Sequence, residues 1–239
     1  LAGQSWEVIV VDDDSPDGTA ELVRALAQDD FHIRCIQRIN RRGLSSACIE
    51  GMLASSAPYL AVMDADLQHD ERLLRQMLET LQEGDCDLVV GSRYSAGGGV
   101  GDWDPARARI SRLATRLSRI VLRVPLSDPM SGFFMIRRSV FLGRVRQLSG
   151  VGFKILLDII TSSSQPLQLK ELPYAFRSRQ FGESKLDGQV GWEYLLMLLD
   201  KLLGHFIPVG FLSFALVGGL GIVVHLLTFT FLFEGMEIL

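Results

Sequence analysis

Apolar, β-branched runs alternate along the chain with stretches of helical periodicity. Trp6–Val11 is the first such run, and Thr19–Ala27 follows it with a potential N-cap Thr and good helix formers. A short apolar run reads as a strand and a capped periodic stretch as a helix. The pair recurs as Ile33–Arg38 with Leu44–Ser55, as Tyr59–Met63 with Glu71–Leu81, and as Leu88–Val90 with Ala106–Leu122 beyond a glycine-rich loop. Gly132–Ile136, Phe153–Thr161 and Leu167–Phe176 then read as strand, helix and strand. Four successive strand–helix pairs predict an α/β fold, a mostly parallel sheet with helices on both faces. Ligands of such sheets bind beyond the carboxyl ends of the strands, so the residues just after each apolar run are the candidates for chemistry.

The pattern changes toward the C-terminus. No Asp, Glu, Lys or Arg occurs from Leu202 to Phe233, and His225 is the only strongly polar side chain between Phe206 and Phe233. Roughly 20 apolar residues in a helix span the hydrocarbon of a bilayer, so this run is expected to be one transmembrane helix; a wholly buried core helix is the alternative. A long polar region precedes it, which excludes a secretory signal peptide. Arg177, Arg179, Lys185 and Lys201 lie before the run and only Glu234 and Glu237 after it, so the large N-terminal part is expected on the cytoplasmic face of a cell membrane. Trp192–Leu203 is apolar around most of a helix, with Trp192 and Tyr194 suited to a headgroup boundary. It fits an interfacial helix or a core helix of the globular part. The expected organisation is residues 1–186 as the α/β domain, 187–205 as the interfacial helix and 206–239 as the membrane segment, through which copies of the chain could associate.

Composition narrows the class. Of 239 residues, 24 are basic and 28 acidic, a net charge of −4, which carries no nucleic-acid footprint. Cys35, Cys48 and Cys86 are odd in number and lack metal-type spacing, which fits a reducing compartment.

The strand ends hold the candidate chemistry. The first run ends in Asp12-Asp13-Asp14-Ser15-Pro16-Asp17-Gly18, the third in Asp64-Ala65-Asp66-Leu67-Gln68 and the fourth in Gly91-Ser92-Arg93-Tyr94. Crowded carboxylates repel one another unless a cation sits among them, and an all-oxygen donor set favours Mg²⁺ or Mn²⁺ over zinc. Asp64 and Asp66, with the amide oxygen of Gln68, are the candidate ligands. Such a site leaves coordination positions for substrate phosphates, and Arg93 can neutralise phosphate oxygens. No Walker-type loop is present, and Gly97-Gly98-Gly99-Val100-Gly101 fails G-x-G-x-x-G because Asp102 falls at the last glycine. His69, the one histidine beside this cluster, is expected to cap a turn or face solvent.

Taken together, VVDDDSPDGT (10–19), RRGLSSA (41–47), DADLQH (64–69), GSRY (91–94), SDPMSGFF (127–134), GFKILLDI (152–159) and FGESK (181–185) resemble the dolichol-phosphate mannose synthases over roughly residues 5–186. The resemblance implies an inverting family-2 glycosyltransferase of the Rossmann-like GT-A fold that moves mannose from GDP-mannose to a dolichyl or other polyprenyl phosphate. It implies metal ligation by Asp64, Asp66 and Gln68, and nucleotide contacts from Asp64, Ala65, Asp66, Asp13, Asp12 and Val11. Arg93, Arg179 and Lys185 match ligands of the donor diphosphate and acceptor phosphate. Arg107 and Ser111 match a second acceptor-phosphate contact, with Arg109 a neighbouring candidate. Asp128 matches an acceptor-side acid or, alternatively, is a turn aspartate before Pro129. The tail resembles the opening of a GtrA-like membrane domain. The family's first strand has no counterpart before Leu1, so a fragment lacking a central strand is expected; His69-Asp70-Glu71, in place of a proline-rich stretch, is expected to be structural only.

A phosphate monoester has a second pKa near 6 and is already anionic at neutral pH, so its attack needs no general base. Competing readings are a UDP-glucose:undecaprenyl-phosphate glucosyltransferase, a receiver-type Mg²⁺-binding signalling domain, and a non-catalytic membrane scaffold.

Overall fold

Strands and helices follow one another in the expected order. The computed structural model describes residues 3–99, 115–116, 126–150, 154–162, 165–177 and 209–236. The chain divides into two units, Leu1–Tyr194 and Leu195–Leu239.

In the first unit β1 (Val8–Asp12) leads to α1 (Thr19–Asp29), β2 (Ile33–Gln37) to α2 (Leu44–Ala54), and β3 (Tyr59–Val62) to α3 (Leu73–Gln82). Then come β4 (Leu88–Ser92), β5 (Phe134–Arg137), α4 (Arg138–Arg144), α5 (Ile155–Thr161) and β6 (Leu169–Pro173). The helix expected over 106–122 lies outside the described residues except for Thr115 and Arg116, which are helical. α1 begins at Thr19, but the carboxylate at its start is Asp17, which accepts from the Thr19 N–H at 3.1 Å and from its hydroxyl at 2.6 Å. These bonds hold the Asp17 carboxyl below its ordinary range. α4 follows β5 with no break in the sequence, so no turn residue marks it.

The strands form two sheets, β1-β2 and β3-β5-β4-β6. β1 pairs parallel with β2, and β4 parallel with β6. β5 runs antiparallel to both β3 and β4, which corrects the mostly parallel sheet expected from sequence. A strand wedged between two parallel neighbours can oppose both, and nothing in the apolar run Phe134–Ile136 specifies its direction. Among the described residues no strand joins β1 to β3. The two sheets differ in burial accordingly: Val8 is exposed, whereas every residue of β4 is buried. Strands covered on both faces read as continuous apolar runs, as Leu88-Val89-Val90 does. Leu73, Met77 and Leu81 lie one helical turn apart on α3 and pack with Val89, Phe133, Met135, Tyr174 and Phe176 in the main core.

The second unit contains α6 (Val209–Met236), which leaves Phe211, Phe214, Val217, Leu220 and Ile222 exposed. Among the described residues no helix is long and apolar enough to cross a membrane. The segment expected as an interfacial helix, Trp192–Leu203, lies outside the described residues.

Candidate active site

The carboxyl end of β1 is shaped by its own aspartates. Asp12, buried, accepts a hydrogen bond from the Ser15 N–H at 3.0 Å and so closes the turn that follows the strand. Asp13 accepts from the Gly43 N–H at 2.8 Å and stands 3.0 Å from Nε of Arg38, whose side chain is wholly buried. Gly43 has a φ of 140°, which only glycine adopts readily, so the RRGLSSA segment is pinned against β1 at a residue chosen for its backbone. Val11, half-buried on β1, touches the position where a Cβ on Gly51 of α2 would stand, at 2.9 Å.

At the end of β3 the chain turns sharply through Leu67, which has a φ of 61°. Asp66 accepts from the Gln68 N–H at 3.2 Å. Ala65 is exposed and Asp64 half-exposed. A Cβ added at Gly132 would stand 2.5 Å from Oδ2 of Asp64, so the glycine of SDPMSGFF clears room for that carboxylate. Gln68 is buried, its amide donating to the Arg177 carbonyl at 3.0 Å, while the Arg177 N–H donates to the Gln68 carbonyl at 2.9 Å. The Arg177 guanidinium in turn donates to Asp70 at 2.9 Å and Glu71 at 3.0 Å. His69 is buried, which corrects its expected place at a turn or in solvent: its Nδ1 lies 2.7 Å from the Tyr174 hydroxyl and its Nε2 3.5 Å from Asp64 Oδ2. The Asp70 carboxylate also accepts from the Arg72 N–H.

At the end of β4 Arg93 donates from Nε and Nη2 to the two oxygens of Asp128, at 2.7 and 2.8 Å, and its backbone N–H donates to the same carboxylate. Asp128 has no exposure. Burial opposes the arginine's charge, but the hydrogen bonds and charge of Asp128 outweigh it and leave the Arg93 pKa raised. Arg93 also lies over the rings of Phe176 and Tyr94. Asp128 is thus a partner for a buried cation, a role richer than that of a turn residue. Glu171 on β6 accepts from the N–H groups of Ser127 and Asp128, which fixes the loop that carries Asp128.

Three groups show that these strand ends share one neighbourhood. Burial, and secondarily the charge of Arg93, draws the Lys154 amine down to about 8, while Asp64 and Asp128 act the other way. Burial pushes the Tyr174 phenol up, with Arg93 opposing and Asp128, Asp64 and Asp66 adding to the shift. Burial pushes the Cys48 thiol up to about 12, helped by Asp64 and Asp13 and opposed by Arg38. The loop from Asp128 to Gly132 ties these ends together: Asp128 pairs with Arg93, Gly132 stands against Asp64, and the Met130 carbonyl accepts from Nζ of Lys154 at 3.3 Å. Sequence reasoning missed Arg38, Lys154, Tyr174 and Glu171. The one available signal was Lys154 itself, a lone charge entering the apolar run Ile155–Leu157. Arg107, Arg109, Ser111, Arg179 and Lys185 lie outside the described residues.

Among the described residues no three His, Cys, Asp or Glu side chains gather as a metal cage.

Comparison with known proteins agrees with this geometry. The profile of glycosyl transferase family 2 matches residues 1–143. The chain is 38% identical to the dolichol-phosphate mannosyltransferase of Pyrococcus furiosus over 229 residues, covering 94% of this chain and 63% of that protein. It is 39% identical to those of Mycosarcoma maydis, over 88% of this chain and 72% of the relative, and of Saccharomyces cerevisiae, over 81% and 73%. It thus spans less than two thirds of the archaeal relative. Among solved structures, glucosyl-3-phosphoglycerate synthase from Mycobacterium tuberculosis is similar in its complex with Mg²⁺ and uridine-diphosphate, with a TM-score of 0.57, 18% identity, and 81% of this chain and 67% of that one covered. Its complex with Mn²⁺, uridine-diphosphate and glucosyl-3-phosphoglycerate gives a TM-score of 0.54 at 19% identity, over 83% of this chain and 68% of that one. At such identity the likeness is one of fold, an α/β fold of the GT-A kind.

Proposed function

Because the chain belongs to glycosyltransferase family 2, among the dolichol-phosphate mannosyltransferases, we propose that it transfers mannose from GDP-mannose to dolichyl or another polyprenyl phosphate with inversion. The observation that supports this reading is the Asp64–Asp66 pair after β3, with the loop that carries Asp128, Met130 and Gly132 linking it to Arg93 and Lys154. Asp64, Asp66 and Gln68 would hold Mg²⁺ or Mn²⁺. When bound, that ion supplies charge stabilisation to the departing diphosphate. Val11, Asp12, Asp13 and Ala65 line the nucleoside side. Arg93, oriented by both oxygens of Asp128, is the cation proposed to meet the donor diphosphate.

The acceptor phosphate is anionic at neutral pH and needs no base to deprotonate it. Its requirement is position, and Arg107, Ser111, Arg179 and Lys185 are the groups proposed to give it. The uncharged run 202–233 is proposed as the membrane anchor that keeps this site, on the cytoplasmic face, within reach of a lipid that does not leave the bilayer. The resemblance of the tail to a GtrA-like domain and association of copies through it belong to the same proposal.

The test is substitution at the cation site in membranes carrying the chain. Asp66→Asn and Asp64→Asn should each lower mannolipid formation at least a hundredfold, because loss of a ligand removes several kcal/mol of charge stabilisation. Near-normal transfer by either variant would overturn the assignment. Transfer from UDP-glucose in place of GDP-mannose would favour the sister glucosyltransferase reading.

A further inference from the structure

Gly132 and His69 approach the same carboxylate oxygen. A Cβ at residue 132 would lie 2.5 Å from Oδ2 of Asp64, and Nε2 of His69 lies 3.5 Å from that atom. His69 is enclosed by Phe133, Tyr174 and Phe176, with ring centroids 5.2, 5.7 and 5.3 Å away. Its other nitrogen, Nδ1, is 2.7 Å from the Tyr174 hydroxyl. Nε2 is buried and makes no hydrogen bond within normal limits. A buried polar atom in that state is costly, and Asp64 is the acceptor aimed at it.

The tautomer follows from the partners. An ionised carboxylate only accepts hydrogen bonds, so a favourable approach to Asp64 requires the proton on Nε2. Nδ1 is then the acceptor, and the Tyr174 hydroxyl donates to it. Burial keeps Tyr174 in the phenol form that can donate. Asp64 is thereby bounded by a glycine on one side and by a single N–H on the other, with the N–H oriented through a tyrosine on the strand-end segment after β6.

We propose that His69 is a positioning residue for Asp64: its Nε2–H, fixed by Tyr174, orients the carboxylate for a divalent cation. The inference rests on the cation site proposed above. It gives the histidine of DADLQH a task that leaves its ring out of contact with substrate. Carboxylates that hold metal ions are ordinarily hydrogen-bonded from behind, and loss of such a partner typically lowers metal affinity about 10- to 100-fold.

The measurement is Mn²⁺ binding to the full chain in detergent with GDP present, followed by the loss of the free-ion electron paramagnetic resonance signal, alongside metal-free thermal unfolding. His69→Phe keeps an aromatic ring and removes the donor, and is expected to weaken Mn²⁺ binding about tenfold. His69→Gln restores an N–H donor near Nε2 and should recover most of that loss. Tyr174→Phe, which conserves the ring and only frees the tautomer, should weaken binding about threefold. Equal loss in the Phe and Gln variants, or binding within twofold of wild type in both His69→Phe and Tyr174→Phe, would overturn the proposal. Should His69→Phe fail to fold, the Tyr174→Phe result decides alone. If wild type itself binds no Mn²⁺ and Asp64→Asn is no different from it, the cation site falls and this inference with it; if Asp64→Asn abolishes binding and the histidine series does not move, only this inference falls.

Discussion

Arg93 and Asp128 make the most demanding contact at these strand ends. The carboxylate is fully buried and the guanidinium nearly so, and two side-chain hydrogen bonds and a backbone one satisfy the carboxylate. Such a pair adds little over a well-packed apolar one, but removing one member leaves the other charge buried and uncompensated. Asp128→Asn should therefore destabilise the protein by about 3 kcal/mol, measured by urea denaturation, and a change below about 1 kcal/mol would contradict the pairing. Lys154 gives a pH signature. Its amine is held near 8 instead of 10.5. Between those values the unfolded chain binds more protons than the folded one, so this residue's contribution to stability rises with pH there, and its cost is fully present below pH 8. Lys154→Met should unfold at a higher temperature than wild type at pH 7, with the margin narrowing from pH 8 to pH 10; a constant margin would contradict it. At this scale the sequence was only partly legible. Asp64, Asp66 and Arg93 stand out because they follow apolar runs, but the partners that set their surroundings, Asp128, Lys154 and Tyr174, come from segments far along the chain. His69 shows the limit best, since nothing local distinguishes a histidine facing solvent from one enclosed by Phe133, Tyr174 and Phe176.

Between elements, the link joining the end of β3 to the end of β6 is built in two layers. The inner layer is the reciprocal pair between Gln68 and the backbone of Arg177, and the outer layer is the Arg177 guanidinium on Asp70 and Glu71. The outer ion pairs are well exposed, where such contacts contribute at most about 1 kcal/mol. The inner layer is part-buried through the Gln68 side chain, and truncating that side chain removes the donor to the Arg177 carbonyl. Gln68→Ala should thus cost about 1–3 kcal/mol and Arg177→Met less than about 1 kcal/mol in thermal unfolding. The reverse order would contradict this layering. The strand–helix alternation was readable in nearly every pair, because runs such as Leu88-Val89-Val90 and Val8–Val11 are apolar and of strand length. What could not be read was direction and partner. Whether Phe134–Arg137 runs with or against β4 depends on the path of the chain between Ser92 and Phe134, and α4 starts where the apolar pattern simply continues.

At the scale of the whole molecule two units of different character share one chain. The first carries charged and polar side chains over a core of Met77, Leu81, Val89 and Phe133; the second is a long helix with phenylalanine, leucine and valine left bare. Charge in the sequence ends at Lys201, whereas the division between the units falls earlier, between Tyr194 and Leu195. The match to family 2 and the 38–39% identity to mannosyltransferases give the chain its family, and the proposed transfer rests on that membership. Membranes carrying the full chain, supplied with dolichyl phosphate, Mn²⁺ and either GDP-mannose or UDP-glucose, provide the most direct test. Mannolipid should form with stoichiometric release of GDP, stop on chelation of the metal and vanish in Asp66→Asn. Metal-independent transfer, preference for UDP-glucose, or no transfer from either donor would contradict the proposed activity.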